Sequence, residues 1–153
     1  MGEQDANFWG GHELCWACRV LAGEFPTCMV TADDAVAVLI NPLALNPGHS
    51  LVVPRQHVEN IYALPHTLAG PILAKAARVA RAAKRVFGAD GVTLRQNNDA
   101  ASDQHLFHFH LHVIPRFTGD GARFNGAPQL ITTAEQEAVG AQLRHALAAE
   151  SDT

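Results

Sequence analysis

The chain has 153 residues, 48% apolar and 17% charged, which describes a globular chain with enough material for a real core and excludes a disordered one. A net charge of −4 leaves no electrostatic footprint for nucleic acid, and no apolar run approaches the roughly 18 residues of a membrane span. Three cysteines do not form a secreted disulfide framework, and the acidic, polar stretch 1–11 lacks the apolar centre of an export signal, so a cytoplasmic protein is expected.

In chain order, residues 1–11 read as a loose leader, with Trp9 docking on the body, to a single domain spanning 1–153. Gly23-Glu24-Phe25-Pro26 marks a turn. Residues 27–40 hold two short β-like stretches about Asp33-Asp34, hence a hairpin. Asn41-Pro42 and Asn46-Pro47-Gly48 punctuate a loop before the strand Ser50-Leu51-Val52-Val53, which Pro54 stops. From Gly70-Pro71 to Phe87, apolar residues recur at helical spacing; Pro71 suits the first helical position and Gly88 the C-terminal cap. The basic residues Lys75, Arg78, Arg81, Lys84 and Arg85 form that helix's solvated face. Val92 to Gln96 reads as a strand and Asn97 to Ser102 as a polar loop. Thr132 with Glu135 resembles a capping box opening a C-terminal helix to about Ala149. Consecutive strands joined by tight turns imply an antiparallel sheet with helices on one side, hence an α+β fold.

The segment before that last helix carries the chemistry. Nine residues are histidine, and His108, His110 and His112 alternate strictly within Phe107 to Ile114. The residues between them are aromatic, branched or aliphatic, so the run reads as a strand with three imidazoles on one side and an apolar, buried opposite face. Neighbouring rings then start about 6.6 Å apart. Besides an accidental His-rich edge, two chemistries fit: a metal site, because a His-x-His pair chelates zinc, or a nucleophilic imidazole with neighbouring rings as proton carriers.

Cys15-Trp16-Ala17-Cys18 is half of a zinc site by spacing, with His57 and one member of the triad as candidate partners. A metal-free thiol pair and a redox pair are the alternatives; no thioredoxin-like pattern follows. If zinc takes both cysteines and two histidines, its tetrahedron is full and the metal is structural, which leaves His110, His112 and His49 for chemistry without metal. Cys28 has no partner and reads as a small core residue. His12, His66 and His145 read as surface residues, and Trp9 and Trp16 as packing groups.

The run from His108 to Ile114 resembles the signature of the histidine triad (HIT) family. Cys15 to Cys18 followed by Gly23-Glu24-Phe25-Pro26 is similar to the opening of its zinc-containing bacterial branch. Ile40-Asn41-Pro42, then Pro47-Gly48-His49 through Pro54-Arg55-Gln56-His57, resembles its central block, and Ile114-Pro115-Arg116-Phe117 with Gly119-Asp120-Gly121 its exit from the triad. The resemblance implies a five-stranded antiparallel sheet with one long helix and a C-terminal helix, paired with a second copy in a homodimer. It implies a purine nucleotide substrate cleaved at the α-phosphate, with His110 as the nucleophile, His112 near the leaving group and His49 beside it. Asn41 would hold the ribose hydroxyls, Asn97 and Gln104 the phosphate, and His105 takes the place of the usual hydroxyl donor. Cys15, Cys18, His57 and His108 would be the ligands of a structural Zn2+, with no organic cofactor.

Two residues depart from the family pattern. Asp103 and His105 flank Gln104 where a glycine and a serine or threonine are usual. A glycine there would serve a positive φ, which Asp tolerates better than most residues; the Asp103 carboxylate is expected to point away from phosphate or to pair with Arg. A hydrolase of nucleoside phosphoramidates or adenylates is the first expectation. A dinucleoside polyphosphate hydrolase or phosphorylase, a nucleotide-binding interaction module with little turnover, and a zinc hydrolase using the triad as ligands are the competing ones.

Overall fold

The computed structural model describes residues 15–121 and 127–150; the leader with Trp9, and His12, lie outside them. A short helix α1 (Trp16–Leu21) precedes β1 (Met29–Ala32) and β2 (Val36–Ile40). Then follow β3 (Leu43–Ala44), β4 (Ser50–Pro54), the long helix α2 (His66–Phe87), β5 (Gly91–Arg95), β6 (Leu111–Arg116), β7 (Gln129–Leu130) and α3 (Thr133–Ala148). Five strands form one antiparallel sheet in the order β1-β2-β4-β6-β5, and β3 and β7 form a separate pair.

The turn between β1 and β2 is made by Asp33, whose Oδ1 accepts the backbone N–H groups of Ala35 and Val36, both at 2.9 Å. β2 and β4 are buried at every residue because both faces are covered, and apart from Ser50 they are apolar. Val36, Val38, Ile40 and Val52 pack under α2 and α3 with Ile72, Ala76, Val79 and Leu143. Ala37, Leu39, Leu51 and Val53 pack on the other face with Cys15, Trp16, Ala17 and Val20 from α1. The two long helices do share one side, as expected, but α1 covers the other, and this second layer carries the site.

The long helix starts five residues before the expected Gly70-Pro71 boundary. Pro71 lies inside the helix, on an exposed stretch with Thr67. The missing Pro71 N–H leaves the Thr67 carbonyl without its helical donor, but on this exposed face the carbonyl is open to solvent, so the usual penalty of an internal proline is reduced. Gly88 closes the helix in the left-handed conformation (φ 66°, ψ 30°). The basic face is not simply solvated: Arg81 and Arg85 reach Glu150 at 3.4 and 2.7 Å, and Lys75 pairs with Asp33 at 2.8 Å. The capping box forms as read, with Thr132 accepting from Glu135 N and Glu135 accepting from Thr132 N. Cys28 is a core residue whose thiol donates to Gln136 Oε1 at 3.3 Å. Among the described residues, no helix is long and apolar enough to cross a membrane.

Candidate active site and metal centre

Regular pairing of the triad segment begins only at Leu111, so His112 lies in a hydrogen-bonded strand while His108 and His110 precede it. The expected alternation holds despite this. Phe109, Leu111 and Val113 pack against the α2 layer, and the three histidines turn the other way, all buried.

His108 points at the cysteines. Its Nδ1 lies 3.4 Å from Cys15 Sγ and 3.5 Å from Cys18 Sγ, and His57 Nδ1 lies 3.4 Å from Cys18 Sγ. All four ligand atoms fall within 4.8 Å of one another. Zn–S and Zn–N bonds of about 2.3 and 2.0 Å in a tetrahedron give S···N edges of about 3.5 Å, so these three separations match those of a zinc tetrahedron. The cluster is preorganised: α1 holds both cysteines, with Cys15 Sγ accepting from Cys18 N. His108 Nε2–H donates to the Pro54 carbonyl at 2.8 Å, which leaves the Nδ1 lone pair aimed at the sulfurs. Burial and the neighbouring Cys15 push the Cys18 thiol up to about 12, and a divalent cation would reverse this by pairing with thiolate.

The other two triad histidines face a cavity of about 320 Å³ lined also by Trp16, Asn41, His49, Arg95, Asn97, Asp103 and His105. His110 Nδ1–H donates to the backbone carbonyl of His108 at 2.7 Å, since a carbonyl can only accept. In the neutral ring, Nε2 then carries the lone pair. A second chain of tautomers follows from one amide. Leu45 N–H donates to His49 Nδ1 at 3.0 Å, so His49 keeps its proton on Nε2 and donates to His112 Nδ1 at 2.8 Å. His112 is thereby left with its proton on Nε2. Burial lowers the affinity of all three rings for a further proton. His49 falls to about 3, with Arg95 and His110 adding to the effect, and His112 to about 2, with His110, His49 and Arg95 adding. His110 is also lowered by burial, against the opposing pull of the His108 carbonyl. At neutral pH the site holds one unprotonated Nε2 beside one Nε2–H donor.

Of the polar residues expected at the phosphate and ribose, Asn41, Asn97 and His105 line the cavity and Gln104 does not. Gln104 is 2% exposed; its amide donates to the carbonyls of Glu59 and Leu106 and accepts from Asp99 N. It therefore ties down the loop beneath the cavity. Asn97 spends its Nδ2 on the Ser102 carbonyl, and its Oδ1 is buried without a partner. Asn41 accepts from Leu43 N at 3.1 Å, and its Nδ2 stands 3.3 Å from His49 Nε2. Asp103 occupies the left-handed region (φ 62°, ψ 32°), the conformation a glycine would otherwise supply; burial lowers the Arg95 proton affinity and the charge of Asp103 opposes this. His66 and His145 are exposed. Trp16 is a packing residue that also walls the cavity. Two contributors were missed: α1, and Arg95. The strand holding Arg95 was legible, but which face that residue takes depends on register with β6, which one strand's sequence does not disclose.

A five-stranded α+β sheet with a closed sulfur–imidazole tetrad behind a pocket of neutral histidines defines a small class of proteins. The chain belongs to the HIT family: residues 22–119 match the HIT domain. It is 34% identical over 110 residues to "Protein hit" of Bacillus subtilis, covering 71% of this chain and 76% of that one. It is similar to a zinc-bound histidine triad family protein from Mycobacterium smegmatis, with 32% identity, a TM-score of 0.77, and coverage of 90% of this chain and 96% of that chain. It is also 31% identical over 102 residues to adenylylsulfatase HINT3 of Arabidopsis thaliana, covering 67% of this chain and 52% of that protein.

Proposed function

We propose that this protein hydrolyses purine nucleotides at the α-phosphate, with nucleoside phosphoramidates or adenylates as the substrate class. The observation that carries the reading is the hydrogen bond from His110 Nδ1–H to the His108 carbonyl, which leaves Nε2 as the lone pair facing the cavity. Attack by His110 Nε2 forms a P–N bond and breaks the bond to the leaving group. His112 Nε2–H hydrogen-bonds to the departing atom, which takes its proton from solvent, and His49 holds His112 in that tautomer. Water then attacks phosphorus, breaks the P–N bond, releases a proton to solvent and returns His110 to its starting state. Asn41 meets the ribose hydroxyls, and His105 and the Asn97 loop border the phosphate. Gln104, buried beneath, positions that loop.

Zinc held by Cys15, Cys18, His57 and His108 would be structural, since four protein ligands leave no open position. It would fix His108, whose carbonyl orients the nucleophile. No organic cofactor enters the reading. A homodimer does, and the partly exposed Leu94 on the open edge strand β5 supports it.

The activity of the Arabidopsis relative, an adenylylsulfatase by name, favours a nucleoside 5′-phosphate joined to a good leaving group over a dinucleoside polyphosphate. Incubation with a panel of phosphoramidates, adenylates and dinucleoside polyphosphates, followed by intact-mass detection, tests the reading. A nucleotidyl adduct on the protein is expected, and absence of both adduct and turnover with every member would contradict it.

A further inference from the structure

Among the described residues lining the cavity, Arg95 is the only arginine or lysine. It stands directly across from His112 in the β5–β6 register, and Leu51 is paired with His112 on the other side. Directly paired residues project to the same face of a sheet, with Cβ atoms about 5 Å apart. Arg95 therefore rises beside the imidazoles, on the side of the sheet that holds the cavity. The amides that would otherwise meet phosphate oxygens are committed elsewhere. Gln104 gives both its donors to backbone carbonyls below the cavity. Asn97 gives Nδ2 to Ser102 and has an oxygen acceptor left over, the wrong polarity for an anion. An anionic phosphate entering this half-buried space would meet no other Lys or Arg among the described lining residues, and burying an unpaired charge is costly.

We propose that Arg95 is the specificity-determining residue that binds the 5′-phosphate of the nucleotide, a duty this chain has moved from neutral amides to a guanidinium. Asp103 lines the same cavity, and its charge is felt at Arg95.

The proposal rests on the nucleotide reading, and calorimetric titration with adenosine 5′-monophosphate and with adenosine separates the two. The zinc-loaded wild type is expected to prefer the monophosphate. Arg95→Gln is expected to cut monophosphate affinity about 10- to 100-fold, the range of a charge-assisted contact, and to leave adenosine affinity unchanged, which also reports an intact fold. Arg95→Lys, which retains charge but not the planar fork, is expected to recover part of the loss; its titration decides the matter if Arg95→Gln does not fold, with an unaltered preference then counting against the proposal. An unchanged monophosphate-to-adenosine ratio in Arg95→Gln overturns the role of Arg95 alone. A wild type that binds neither ligand overturns both this role and the nucleotide reading.

Discussion

The His110 ring donates from Nδ1 to the carbonyl of His108, 2.7 Å away, while the His108 ring turns its own Nδ1 toward Cys15 and Cys18 at 3.4 and 3.5 Å. One residue thus serves both halves of the site: its side chain completes the Cys–His cluster and its backbone sets the tautomer of the next histidine. Alternation along the chain makes this division possible. A rigid His108 also aims His110 into the cavity, so the two functions are coupled through a single peptide.

Replacement of His110 by Asn removes the attacking nitrogen and retains much of the side-chain polarity. Turnover is expected to fall by about 10⁴-fold or more, while nucleotide binding stays measurable by calorimetry. Unchanged rates in this variant would remove the nucleophile assignment.

The Cys15→Ser substitution separates stability from chemistry. Loss of one thiolate opens the tetrad, and because metal binding is coupled to folding, the melting temperature is expected to drop by about 10 °C or more. The folded fraction is expected to retain kcat within about tenfold. A variant that melts normally yet is fully inactive would mean the metal acts in the reaction itself.

Stability is expected to fall with acid before any carboxylate is protonated. His49 and His112 ionise near 3 and 2 in the folded protein instead of the ordinary 6.5. Between pH 6.5 and about 3 the unfolded chain therefore binds protons that the folded chain refuses. Stability is complete above 6.5 and declines as pH falls, by about 1.4 kcal/mol per pH unit for each ring. Urea midpoints at pH 7 and pH 5 with saturating zinc check this, and His49→Asn is expected to flatten the slope. A midpoint independent of pH over that range would contradict the burial of neutral rings.

Gly48 precedes His49 at φ +86°, and a Cβ there would collide with the ring of Phe87 at the end of α2. Gly48→Ala combines a left-handed backbone with this overlap, so a loss of about 2–3 kcal/mol is expected in denaturant titration. Displacement of His49 should lower kcat as well. A variant as stable as the wild type would show that the loop yields without cost.

Periodicity made the long helix and most strands readable from residues alone. The capping residues Thr132 and Glu135 and the terminal Gly88 appeared as expected because their conformations are dictated locally. The start of α2 was misplaced because Pro71 obeys a rule for first turns that an exposed second turn also tolerates. α1 and the β3–β7 pair were not legible: six and two residues carry too little period, and α1 is held by the sheet it covers. In the site, spacing together with the family resemblance anticipated which residues meet: Cys15, Cys18, His57 and His108 cluster, and His49, His110 and His112 line one cavity. The fate of Gln104 and Asn97 did not, because both side chains are captured by backbone carbonyls of a loop whose path depends on Asp99 and Asp103 at positive φ.

The central claim is that His110 forms a covalent bond to phosphorus, and the stereochemical course at that atom tests it most directly. With an adenylate analogue made chiral at the α-phosphorus, hydrolysis through a nucleotidyl-histidine passes through two in-line displacements and is predicted to proceed with net retention. Net inversion would mean that water attacks in a single step and that His110 is not the nucleophile.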